Sequence, residues 1–125
     1  MEGPHTTRRH CSSDAEQVVE TYFSSWKAKD FDTYQSVLAD DVIFDGPLGH
    51  VEGAADCRQG IEKMSQMVTD IVVRQRFVAG PDVLTWFDLH TSVAPPCPTA
   101  NWSHIENGKI QWIRVAFDPR PLLGS

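Results

Sequence analysis

The sequence predicts an α+β fold, in which a curved, cone-shaped antiparallel sheet is wrapped around helices that come first in the chain. Two patterns predict it. Apolar residues recur at helical spacing before Asp40, and four runs rich in strand formers follow Asp70. A third observation sets the size. With 125 residues and a hydrophobic share of 41%, the chain suits one globular core and no second domain. The expected division is a disordered lead-in over residues 1–12 and a single domain over 13–125.

The first helix is expected to start at Ser13, because Ser13-Asp14-Ala15-Glu16 matches a capping box. Val19, Tyr22, Phe23 and Trp26 then share one helical face. Asp30 is placed to cap a short second helix, whose buried stripe is Phe31, Tyr34, Val37 and Leu38. Val42-Ile43-Phe44 reads as strand, and Gly46-Pro47 breaks it. A third helix is expected over Ala54–Val68, with Cys57, Ile61, Met64 and Val68 at helical spacing. Met64 and Met67 read as core filling. Strands are expected at Ile71–Val78, Val83–Val93, Thr99–Ile105 and Ile110–Phe117. Ala79-Gly80-Pro81-Asp82 is a turn, and Ala94-Pro95-Pro96-Cys97-Pro98 a rigid loop. Asp118-Pro119-Arg120-Pro121 ends the sheet. The open end of such a cone suits a small apolar ligand.

Composition narrows the function. A net charge of -6 argues against nonspecific binding to nucleic acid or to anionic membranes. No apolar run approaches a membrane span, and the first thirteen residues lack the apolar core of a signal peptide. Cys11, Cys57 and Cys97 are far apart, and the odd count fits a reducing cytoplasm. His5, His10 and His50 read as solvated. No ligand spacing for a metal occurs, so neither metal nor other cofactor is expected.

The segment Ala39–Gly53, set between helices, and the late run Glu106–Asp118 together resemble the nuclear transport factor 2-like superfamily. The nearest resemblance is to its SnoaL-like members, a group that includes polyketide cyclases, ketosteroid isomerases and limonene-epoxide hydrolases. It covers roughly residues 15–121 at the level of pattern. Laid without gaps from Thr21 to Gly49, the ketosteroid isomerase pattern puts its helix tyrosine on Tyr22 and its Pro-x-Gly turn on Pro47-Leu48-Gly49. Its catalytic aspartate falls on Gly46. Asp45 is the neighbouring acid, but one step along a strand reverses side-chain direction, so Asp45 would need a bulge to face inward. The later oxyanion acid of that family matches Asn101, an amide that can donate to a carbonyl oxygen at any pH. The epoxide hydrolase pattern fares worse. Asp88 takes one of its aspartates, whereas Trp86 and Val115 occupy the places of its arginine and second aspartate, and that chemistry is not expected.

Trp86, Asp88 and His90 alternate on one face of a strand. Facing inward, Asp88 would be a desolvated base with His90 as partner. In the alternative, Val83, Thr85, Phe87 and Leu89 face inward and leave Asp88 and His90 wet. The expected activity is acid/base chemistry (isomerisation, cyclisation or dehydration) on a hydrophobic carbonyl compound. Asp88 or Asp45 would be the base, with Tyr22 and Asn101 as carbonyl donors. Trp26, Phe44, Trp86, Ile113, Val115 and Phe117 would line the pocket. The alternative is a non-catalytic ligand-binding or dimerisation module of the same fold. A three-residue hairpin loop, Glu106-Asn107-Gly108, would put Trp102 and Trp112 together on the outer face and so favour a homodimer there. A two-residue turn would split them.

Overall fold

A computed structural model describes the backbone of residues 2–47 and 49–120 and the side chains of 14–47 and 49–120. Among the described residues, three helices and six strands follow in the order α1 Glu2–Ala28, α2 Phe31–Ser36, β1 Leu38–Gly46, β2 Gly49–Glu52, α3 Ala54–Ser65, β3 Val68–Ala79, β4 Asp82–Thr91, β5 Cys97–Glu106 and β6 Lys109–Ala116. The strands form one sheet in the order β2-β1-β6-β5-β4-β3. The sheet is curved and not closed into a barrel, and the helices lie in its concave side.

Two expectations need correction. Helix α1 begins at Glu2, so Ser13 lies within it rather than at its start. A capping box permits a start but does not oblige one, and Pro4 falls in the first turn, where its missing N–H has no helical partner to lose. The sheet also contains one parallel pair, β1 with β6, and β2 was not foreseen. Strand β2 is a four-residue edge whose hairpin with β1 turns through Gly49 at φ 150°.

Elsewhere the local signals act as expected. Asp30 caps α2, accepting from the Thr33 N–H at 3.3 Å. Gly53, at φ 98°, opens α3, and its N–H bonds the Val42 carbonyl at 2.7 Å, tying the helix entrance to β1. The core lies between the helices and the inner sheet face. Val19, Tyr22, Phe23 and Trp26 of α1 meet Phe87 and Leu89 of β4 and Ile113 of β6. Edge-on ring contacts hold Phe23 and Trp26 to Phe87, at 5.1 and 5.9 Å between centroids.

The β5–β6 hairpin closes through a two-residue Asn107-Gly108 turn, both residues with positive φ, and not through the three-residue loop. That turn pairs Glu106 with Lys109, which by itself would separate the two tryptophans. A register shift follows at once: Ile105 pairs with Ile110, but His104 pairs with Trp112. The extra residue is Gln111, a bulge that returns Trp112 to the outer face. Trp102 and Trp112 therefore do pack there, at 4.9 Å between ring centroids.

Candidate functional site

A cavity of about 500 Å³ opens between the inner sheet face, α1 and α3. That volume lies within the range of small-molecule sites. Its wall is mostly apolar, with Trp26, Phe44, Met64, Phe87, Leu89, Val115 and Phe117 among its residues. The exposed residues Pro47, Gly49, Gly60 and Lys63 lie at its mouth. The fully buried residues Tyr22, Tyr34, Thr99 and Asn101 form its deep end.

The polar groups of the deep end come from elements far apart in the chain. Tyr22 hangs from the buried stripe of α1, and Tyr34 reaches it from α2. The Tyr34 hydroxyl donates to the Tyr22 oxygen at 3.3 Å, with ring centroids 4.9 Å apart. Thr99, Asn101 and Ser103 project from the inner face of β5, two residues apart. Ser103 donates from Oγ to Asn101 Oδ1 at 2.9 Å, and Thr99 donates to the Cys97 carbonyl at 3.0 Å.

Burial pushes the Tyr22 hydroxyl up to about 12, although Tyr34 and the Asn101 amide, acting as donors, both favour its ionised form. Burial, and then the neighbouring Tyr22, hold Tyr34 well above the ordinary tyrosine value. Cys57 of α3 also lines the cavity, and burial raises its thiol to about 11. At neutral pH these three groups are proton-bearing. Tyr22 accepts from Tyr34, and the Asn101 amide beside it also favours its ionised form.

The expected bases lie elsewhere. Strand β4 buries Val83, Thr85, Phe87 and Leu89, so Trp86, Asp88 and His90 face outward. Asp88 pairs with Arg74 at 2.8 Å, Trp86 is 44% exposed, and His90 sits opposite Asp70 of β3. The cause is hydrophobic parity, since four apolar or small side chains on one face outweigh an alternation that contains a charge. Asp45 also points outward. Phe44 and Gly46 line the cavity, and Asp45 between them bonds His50 of β2 across the strand pair. No bulge turns it, so Gly46 stands where the resembled pattern places its carboxylate. Ile113 is fully buried behind the wall and is not part of it.

Tyr22, Asn101, Trp26, Phe44, Val115 and Phe117 are brought together as expected. Sequence reasoning missed Tyr34, Thr99 and Ser103 as polar members, and Met64 and Met67 as wall residues. The usable signal was the Thr99–Asn101–Ser103 alternation, a run of small polar side chains on the inward parity of β5. Among the described residues lining the cavity there is no aspartate, glutamate or histidine. Also among the described residues, no group of three or more His, Cys, Asp or Glu side chains is placed to share a metal ion.

On the outer face, His104 and His50 are each held between two carboxylates. His104 bonds Asp82 through Nδ1 and Glu106 through Nε2, both at 2.8 Å. His50 bonds Asp45 and Glu52 in the same way. The paired carboxylates, Glu106 first for His104 and Glu52 first for His50, raise both imidazoles above their ordinary value.

Comparison with known proteins agrees with this architecture. The SnoaL-like domain model matches residues 19–113. An NTF2-like protein from Cytophaga hutchinsonii is 28% identical, with a TM-score of 0.80 over 87% of this chain and 94% of its own. A protein from Kribbella flavida is 26% identical, with a TM-score of 0.81 over 86% of this chain and 88% of its own. An epoxide hydrolase from M. tuberculosis shares the fold at 20% identity and a TM-score of 0.75, covering 89% of this chain and 87% of its own. No curated protein matches the chain.

Proposed function

The chain belongs to the SnoaL-like domain family, and on that premise we propose that it binds an apolar, carbonyl-bearing small molecule and polarises the carbonyl oxygen through Tyr22 and Asn101. The observation that carries this reading is the chemistry of the deep end. Two donors, Tyr22 O–H and the Asn101 amide, lie together at the bottom of a mostly apolar cavity. Donors fixed in a dry site favour an oxygen that gains negative charge. That is the electrophilic half of an isomerisation or cyclisation. The proton-accepting half has no carboxylate or imidazole on the described wall. Asp88 and Asp45 are therefore set aside as bases, and turnover is confined to substrates that bring their own proton acceptor.

The matched probe 2-acetonaphthone tests both parts. It should bind the protein, measured by calorimetry. Tyr22→Phe should weaken it by about tenfold, the scale of one buried hydrogen bond of ~1–1.5 kcal/mol. In deuterium oxide, exchange of its methyl protons should run no faster with the protein than the buffer rate. Unchanged affinity in the variant would remove the donor role, and accelerated exchange would reveal a base.

The outer face supports a second part of the proposal, a homodimer. Ile43, Leu84, Trp86 and Trp102 are exposed there, and Trp112 packs beside Trp102. Arg114 lies over both indole rings, with Asp45 its cross-strand neighbour, so the face carries both charges and can meet a copy of itself.

A further inference from the structure

We propose that Ser103, a residue off the cavity wall, sets the ligand preference of the cavity by fixing which end of the Asn101 amide faces Tyr22 and the bound oxygen. The inference rests on the reading of the cavity as a carbonyl site and adds the residue that makes it one.

Asn101 is fully buried, and its amide has two opposite ends. With the nitrogen toward Tyr22, the site presents N–H and O–H donors and favours a carbonyl oxygen. With the oxygen toward Tyr22, the Tyr22 proton would be consumed by Oδ1. The ligand would then meet an acceptor, which suits an alcohol. The two orientations fill the same volume, so packing does not choose between them. Hydrogen bonding does.

Ser103 is also fully buried. It sits two residues along the same face of β5, between Val83 and Ile113 on the flanking strands, and neither neighbour offers a side-chain acceptor. Among the described contacts, Asn101 Oδ1 at 2.9 Å is the one acceptor of the Ser103 hydroxyl. Turning the amide over would present N–H to Ser103 and strand the serine proton in the core. A buried donor left unmade loses the full desolvation penalty of that group, which exceeds what a satisfied bond contributes net. The serine thus holds Oδ1 toward itself and Nδ2 toward Tyr22. The other hydroxyl on this face of β5, Thr99, is two residues in the opposite direction, about 7 Å along the strand, and bonds the Cys97 carbonyl, while Thr85 of β4, opposite Asn101, accepts from Arg76 at 3.2 Å. Thr99 does not reach the same end of the amide.

The test uses two probes of one skeleton, 2-acetonaphthone and 1-(2-naphthyl)ethanol, titrated calorimetrically into the full chain. The unmodified protein should favour the ketone by roughly tenfold. In Ser103→Ala the amide is free to turn, and the ketone-to-alcohol ratio should fall to near unity while the alcohol binds as well or better. Ser103→Thr keeps the hydroxyl and should restore the ratio. Ser103→Cys is nearly the same size and a poor donor, and it reports the same fall should the alanine variant not fold. An equal weakening of both probes in Ser103→Ala and Ser103→Cys would mean that Ser103 only supports packing, and the inference would be overturned. If neither probe binds the unmodified protein, the carbonyl-site reading fails, and this inference with it. Binding of both with no preference, in the presence of the Tyr22→Phe effect, would overturn the serine lock alone.

Discussion

Tyr22 is the residue in which sequence and structure agree most closely. Its place on the helical stripe follows from spacing, and its partner Asn101 from the resemblance to the ketosteroid isomerase pattern. What the sequence does not disclose is the state of its proton. That depends on burial by side chains from α2, β4 and β5, none of them near in sequence. Because burial lifts Tyr22 to about 12, the hydroxyl remains a donor throughout the neutral range. Affinity for 2-acetonaphthone should therefore be flat between pH 6 and 9, measured by calorimetry at fixed ionic strength. A decline beginning near pH 9 would place the hydroxyl at its ordinary value and contradict its burial. Asp88 illustrates the opposite case. The same strand could be drawn with Trp86, Asp88 and His90 inward, and family resemblance favoured that face. Four residues of hydrophobic parity decided otherwise. Where resemblance and side-chain alternation conflict on one strand, the desolvation of a carboxylate is large enough to decide.

At the scale of elements, the β5–β6 hairpin shows why register was only partly legible. The turn signal Asn107-Gly108 was plain, but Gln111 carries no mark in the sequence that announces a bulge. Its effect is visible only through Ile110 and Ile113, both fully buried and three residues apart on one strand. The bulge brings His104 opposite Trp112, where the rings stack 5° from parallel at 5.3 Å. Both ring nitrogens of His104 face carboxylates, so the geometry suits an imidazolium. Glu106 and Asp82 raise its pKa on folding, and Arg114 faces the same indole from β6. A folded pKa above the unfolded value near 6.5 means that the folded state holds the proton more tightly. Its stabilisation is thus fully present below about pH 6.5 and is lost as the pH rises through the folded value. His104→Phe keeps a ring on Trp112 and removes the charge. The gap in Tm between the natural protein and this variant should be widest in the acidic range and close on the alkaline side. A gap independent of pH would mean that stacking alone holds His104.

For the whole molecule, the fold class was open to the sequence because each helix and strand carried its own period, and one core suffices for a chain of this size. The cavity was open only in outline. Its wall draws on α1, α2, α3, β1, β2, β4, β5 and β6, so its contents depend on which parity each strand chooses. The two methionines assigned to filling, Met64 and Met67, instead border the space they were expected to occupy. The outer face leads to a test in solution. At micromolar concentration, light scattering should return twice the 14.0 kDa chain mass, and Trp102→Glu should return the single mass. A single mass for the unchanged protein would contradict the dimer. The parallel contact between β1 and β6 has a further consequence, for the order in which the chain becomes a protein. Strand β1 lies between β2 and β6, yet some sixty residues separate it from β6, a long loop to close. On a ribosome, β1 and its short hairpin partner must wait for β6 to emerge before the middle of the sheet can be joined. Until then Ile43 and Phe44 have no β6 neighbours, and the nascent chain exposes an unpaired strand edge to neighbouring polypeptides.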